Sequence, residues 1–302
     1  MRVDAVISGT HIAFSHDAHC PEISPLVCAD PDIEMLPHEH HQGVTMLRYQ
    51  TTVSFGLGNG WQVMGMIPVD AKLLSIEYTT MDGQPYDPPY GDIHHRNETL
   101  FGLGDGRIEA QYFTQAASAW VVGGGLGFTL PMGRTEENPY LLAERSEKHQ
   151  HMQMGSGTVD PVFALFSVWT GPKWGGILKS NGLLPVVQNR YGYKPSPVLT
   201  VSGGPSYVLT PKWTTTAEIS LSREWQAHWD GEPDRMSGRT VLTAGGALIY
   251  RLSPQWSTMV QTHSTLMQWS DAALILQRFK GTVGVSWTPR SHSAAGDHHS
   301  AR

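Results

Sequence analysis

The chain has 302 residues, of which 16% are charged and 40% hydrophobic, with 32 glycines and a formal net charge of −6. Soluble domains carry about 25% charged residues, so the deficit argues against a surface wet on all sides, and the acid excess leaves no basic patch for nucleic acid. No stretch reaches the roughly 18 apolar residues of a membrane helix, and the uncharged run 116–133 holds Gly123, Gly124, Gly125 and Gly127, which a helix resists.

Up to Cys20 the chain has one early arginine, Arg2, and no continuous apolar stretch of an export signal. Export therefore requires a signal upstream or already removed; otherwise the chain is not exported. Ala5 to Phe14 fits a first strand, with 15–41 as a first external loop. Within it, Cys20 and Cys28 are either one small disulfide loop, which an oxidising compartment permits, or two unrelated thiols. Residues 1–41 are thus expected to form an N-terminal segment, 42–289 the main body, and 290–302, rich in Ser, His and Ala, a disordered tail.

From residue 42 onward the hydrophobic period is two, as in a half-buried strand. Leu47, Tyr49, Val53 and Phe55 alternate with Arg48, Gln50, Thr52 and Ser54. Ile108, Ala110 and Tyr112 alternate with Arg107, Glu109 and Gln111; Leu199, Val201, Gly203, Pro205 and Tyr207 with Thr200, Ser202, Gly204 and Ser206. Trp213, Ala217, Ile219 and Leu221 alternate with Thr214, Thr216, Glu218 and Ser220, and Phe279, Val283, Val285 and Trp287 with Lys280, Thr282 and Ser286. The stretches 241–251 and 257–267 alternate poorly and are assigned as strands from spacing.

The tryptophans punctuate these strands. Leu209, Thr210, Pro211, Lys212, Trp213 and Leu252, Ser253, Pro254, Gln255, Trp256 are near copies, and Trp169 to Trp174 is a variant of them. Asn59 and Gly60 before Trp61, and Ser118 and Ala119 before Trp120, stand in equivalent places. Each is a short turn built on Pro or Asn-Gly chemistry. Longer polar segments, 81–98, 133–157, 189–196 and 226–238, fall between them. Short turns alternating with long loops predict an all-β, antiparallel transmembrane β-barrel of about 12 strands, with periplasmic turns short and external loops long. A tryptophan beside each short turn predicts a ring at one membrane interface. The long loop 133–157 is expected to hold a helix capped by Asn138, with Pro139 in its first turn, Glu144 and Lys148 four apart, and Gly155 beyond its end. It is read either as a surface turn or as a plug in the barrel mouth.

Three short motifs occur in order: Gly102, Leu103, Gly104, Asp105; then Leu130, Pro131, Met132, Gly133; then Gly155, Ser156, Gly157, Thr158 followed by Asp160 and Pro161. Together they resemble an outer-membrane transporter-like family, that of the MetA pathway of phenol degradation. The resemblance spans roughly 51–287 and implies an outer-membrane barrel with poorly defined cargo, without catalytic residues to carry over.

The candidate site residues are of two kinds. Arg48, Arg107, Glu109, Glu218 and Arg251 lie on positions expected to face inward, where charges pair across the lumen or line a polar path. His38, His40, His41, His94 and His95 fall in expected loops on one side, and neutral imidazoles at short spacing suit Zn, Cu or Ni. Solvated loop histidines are the plainer reading. No His-Glu-x-x-His helix motif is present, because position 42 is Gln. A phosphate loop needs a helix after its glycines, and no helix is predicted after Gly104 or Gly127. Ser264 follows His263, but strand neighbours point to opposite faces, and no Gly-x-Ser-x-Gly occurs. The reading is a non-enzymatic channel or transporter-like protein of the bacterial outer membrane. Its partners are membrane lipid and an unidentified small solute; no cofactor and no nucleic acid are expected, and a metal-related role follows if the histidines converge. The alternatives are a soluble β-rich binding protein, a propeller or sandwich, and an outer-membrane enzyme.

Overall fold

The computed structural model describes residues 1–17, 26, 29–32, 35–91, 93, 96–234, 236–270 and 276–289. Its strands are β1 (Arg2–Asp17), β2 (His38–Gly58), β3 (Trp61–Thr80), β4 (Glu98–Leu103), β5 (Gly106–Ala117), β6 (Trp120–Leu130), β7 (Pro161–Thr170), β8 (Trp174–Leu183), β9 (Tyr193–Lys194), β10 (Val198–Val208), β11 (Trp213–Glu224), β12 (His228–Trp229), β13 (Glu232–Pro233), β14 (Arg239–Arg251), β15 (Trp256–Ser270) and β16 (Leu276–Trp287). Among the described residues a helix, α1 (Pro139–Glu144), lies between β6 and β7.

The main sheet closes on itself. Each strand pairs antiparallel with its sequence neighbour, β1 pairs with β16, and β2 pairs with β3. The pieces β4 and β5 both pair with β3, at Val69 to Leu74 and Trp61 to Met66 respectively. They are therefore one wall position broken at Gly104 and Asp105, and the barrel has twelve positions. A closed barrel leaves no unpaired edge, which a chain in hydrocarbon requires. Residues β9, β12 and β13 form a separate small sheet in the long connections.

The first strand is longer than Ala5 to Phe14, and β2 starts at His38, so 2–17 and 38–41 belong to the barrel wall. His11, His16 and His40 break the apolar rhythm there, which hid the strand ends. The expected helix is corrected. Asn138 caps it, its Oδ1 accepting from the Tyr140 N–H at 3.0 Å, but it ends at Glu144, and Ser146 takes a φ of 53°. Glu144 and Lys148 thus do not share a helix face. The cysteines and the tail 290–302 lie outside the described residues.

The outer face carries the apolar residues of the alternation. Ile219, Leu165, Leu126, Val260 and Phe279 are more than half exposed because no protein covers them. At the short-turn end, Trp61, Trp120, Trp174, Trp213 and Trp256 all lie outside, and four of them pack at a tilt against Tyr or Trp neighbours: Trp61 on Tyr112, Trp174 on Tyr207, Trp213 on Tyr250, and Trp256 on Trp287. Trp120 stands opposite Trp169. This is the aromatic girdle that an outer-membrane barrel places at an interface.

Candidate functional site

The inner face is polar and ionic. Arg48 on β2 grips Asp70 on β3 with two parallel bonds, Nε to Oδ1 at 2.7 Å and Nη2 to Oδ2 at 2.8 Å. The two are paired directly across the β2–β3 ladder. Asp70 is buried, and a fork-to-fork pair is the geometry that best holds a buried carboxylate. Gly104 completes this place: a Cβ there would stand 2.6 Å from Asp70 Oδ2 and 3.1 Å from Pro68 Cγ.

A second cluster sits on β5. Arg107 pairs with Glu109, whose Oε2 accepts from Gln111 Nε2 at 3.0 Å, and Gln111 Oε1 accepts from Gln62 Nε2 at 2.6 Å. Glu109 is 2% exposed. It fits because the facing positions on β6 are glycines: a Cβ on Gly125 would stand 2.8 Å from Gln111 Cγ and 3.0 Å from Glu109 Oε2. The glycine run is thus the seat of inward side chains. A third cluster joins Lys179 on β8 to Glu218 on β11 at 3.0 Å, with His263 Nε2 of β15 at 3.5 Å from the same carboxylate.

Arg48, Arg107, Glu109 and Glu218 are therefore inward and paired, each with a neighbour on the same or a nearby strand. Arg251 shares the inward register but is the last residue of β14, exposed beside the turn at 252–255. Asp70, Lys72, Lys179 and Lys280 also belong to the lumen and were not singled out from sequence. Lys280 was placed on the inward side of its strand, and Asp70 needed β3, where Pro68 and Lys72 on the inward side flank it in the alternation.

The external end is built differently. Asp105 accepts from the Gly133 N–H at 3.1 Å, the Ser156 N–H at 2.6 Å and Ser156 Oγ at 2.7 Å. Gly133 and Gly155 pack backbone to backbone there. The three motifs that stand apart in sequence thus meet at one carboxylate, which pins both ends of the connection 131–160. Between those ends the connection turns inward. Lys72 donates to the Gln153 carbonyl, Gln150 Nε2 donates to Glu98 at 3.0 Å, and Arg96 Nη1 donates to the His149 carbonyl at 2.9 Å. Lys72 and Leu100 are inward positions of β3 and β4, and Leu100 and Met154 are buried. Two cavities lie below. One of about 200 Å³ is lined by Asp105, Arg107, Thr129, Asn181 and Thr200, and one of about 530 Å³ near the short turns by Thr52, Ser54, Gln62, Gln111 and Phe166.

The histidines separate. His38 and His40 are buried on the inward side, Nε2 to Nε2 at 3.4 Å, and both meet the Tyr90 hydroxyl, His40 at 3.1 Å. Burial pushes the Tyr90 hydroxyl well up, so it stays protonated. His41, one residue on, faces the other way and bonds Ser15 Oγ at 2.8 Å and Thr79 Oγ1 at 2.9 Å. His94 and His95 lie outside the described residues. Among the described residues no group of three His, Cys, Asp or Glu side chains converges as a metal set.

Neither a protein-family profile nor a curated protein matches the sequence. Among solved structures, the fold is similar to an outer membrane channel from Pseudomonas putida F1, with 10% identity, 94% of each chain covered and a TM-score of 0.56. Lower similarities include the NanC porin, at 10% identity, 93% and 100% coverage and a TM-score of 0.46. The TodX monoaromatic hydrocarbon channel is matched at 11% identity, 96% and 90% coverage and a TM-score of 0.46. The closed antiparallel wall, the apolar outer band and the tryptophan girdle agree with the first of these folds: the chain is a twelve-stranded β-barrel of the bacterial outer membrane.

Proposed function

We propose that the protein is a channel for small solutes, with a polar lumen narrowed by the connection 131–160. The observation that carries this reading is the inner face itself: ion pairs and amides line cavities of about 200 and 530 Å³ while the outer face is apolar. A filled, purely structural barrel would need no such lining. The inward bonds of Lys72, Arg96 and Glu98 to 149–153 support the reading of this connection as an internal constriction rather than a surface loop. In this reading Arg48, Arg107, Glu109 and Glu218 line the path, and Arg251 stands at its periplasmic exit. The outer membrane channel of similar fold agrees with this, through fold alone.

The test is conductance of the purified barrel in planar bilayers. Discrete, ohmic steps in potassium chloride are the expected result, growing when 140–153 is deleted. A barrel that inserts and folds yet passes no ions in either form removes the channel reading. A metal-related role rests on His38, His40, His94 and His95; zinc titration of tag-free protein, with and without His94→Ala and His95→Ala, is its test.

A further inference from the structure

Most acidic side chains of the barrel wall are paired with a cation on the same or a nearby strand. Among the described barrel residues, Asp4 faces Arg2 at 2.9 Å, Asp70 faces Arg48, Glu109 faces Arg107, Glu218 faces Lys179 and Glu224 faces Arg239 at 2.9 Å. Two inward lysines remain. The Lys72 ammonium is held by the Gln153 carbonyl. Lys280 on β16 has no ion pair or hydrogen bond among the described residues and is exposed to the lumen. Its register places it opposite Thr10 of β1 and His263 of β15, and Arg48 stands one strand further, opposite Ser8. The charged neighbour across β1 is therefore another cation, Arg48, itself paired with Asp70. On its other side, Glu218 is already engaged by Lys179 and faced by His263. Beside Lys280 the wall thus offers a cation on one side and an already engaged carboxylate on the other.

We propose that Lys280, with Arg48 beside it, is an anion-coordinating step on the lumen wall, and that the barrel favours small solutes carrying an oxyanion, such as a carboxylate or phosphate. This rests on the channel reading above and deepens it to a substrate class. Low-dielectric walls focus the field of a lone charge into the lumen. An ammonium is a point charge on a flexible stem, without the fork that would hold an oxyanion tightly. Passage needs binding weak enough to release, and Lys280 supplies it. The Arg48 fork is committed to Asp70, so it contributes field rather than bonds. Ser8, inward on β1 between them, adds a hydroxyl.

Reversal potentials across a potassium chloride gradient test this on the full-length barrel, with folding checked by heat-modifiable migration. Wild type is expected to prefer chloride over potassium. At roughly 10 Å from the path in a water-like dielectric, one charge changes anion occupancy about twofold and its reversal about fourfold. K280Q should lower the permeability ratio about twofold and K280E about fourfold, while K280R retains it. Preference for potassium in wild type, or a K280E ratio equal to that of wild type, overturns the proposal. Absence of any conductance overturns the channel reading instead. The anion site is then read by titrating inorganic phosphate into detergent-solubilised protein: binding lost in K280Q upholds it, and no binding, or binding kept in K280Q, overturns it.

Discussion

At the scale of single residues, Asp105 organises the external end. It sits where the wall position shared by β4 and β5 breaks, and its two oxygens take three donors from residues 28 and 51 positions away. Hydrogen bonds to a charged group are each worth about 1.5–3 kcal/mol. Asp105→Asn keeps the shape and removes the charge, and one of its side-chain atoms becomes a donor facing donors. The expected outcome is a folded barrel whose connection 131–160 is cut by protease far faster than in wild type, with stability lowered by about 2 kcal/mol. Limited proteolysis followed by mass spectrometry of the fragments checks it, and an unchanged cleavage rate would show that Asp105 does not pin the loop. The motif around Asp105 was visible in sequence as a resemblance. Its physical meaning was not, because the donors come from two distant segments and no local pattern links them.

At the scale of elements, period-two alternation made most strands readable, since lipid outside and polar groups inside impose opposite residue types on successive positions. Leu221 faces lipid and Ser220 the lumen, as the alternation requires. The pattern weakened in β15, where Thr262 and Ser264 are exposed on the outer face and a register shift in its pairing with β14 changes the phase. Girdle spacing, rather than alternation, located that strand. Its two faces can still be told apart by charge. Val260, 54% exposed, points to lipid about four residues above Trp256; Gln261 points inward and is half-buried. Val260→Arg should cost about 2–4 kcal/mol near mid-membrane, whereas Gln261→Arg, with water in reach, should cost about 1 or less. Urea titration of refolding into lipid vesicles measures both, and equal losses would mean that the inner and outer faces of β15 are misassigned. Ser202 would be a poorer control. It is buried beside Lys179, which Glu218 already engages.

At the scale of the whole molecule, the barrel was legible because its constraints repeat at every turn, while the closure of its mouth was not, because it depends on contacts between connections. His151 shows how such a closure responds to pH. It is half-buried, with Nε2 shut off from solvent, next to Tyr140 and His149, with ring centroids 5.7 and 5.2 Å away. Burial first, and the neighbouring His149 second, push its pKa down to about 3, and burial also lowers that of His149, against the bond to the Glu147 carbonyl and with the charge of Arg96. An exposed imidazole titrates near 6.5. The inward-folded state therefore binds fewer protons than the released one between about pH 6.5 and pH 3. By linkage its stability is full above about 6.5 and declines as pH falls through that window, for His151 alone by up to about tenfold in the opening equilibrium per pH unit. Acid should thus release 131–160 while the barrel wall, held by backbone pairing, persists. The expected record is a conductance that steps up, and a proteolytic site at 140–153 that appears, as pH drops from 7 to 4. His151→Phe, which keeps an enclosed ring without a titrating nitrogen, should flatten that response to the part left by His149. A wild-type barrel whose conductance and cleavage do not change between pH 7 and 4 would show that the enclosure of His151 is not coupled to the opening of the mouth.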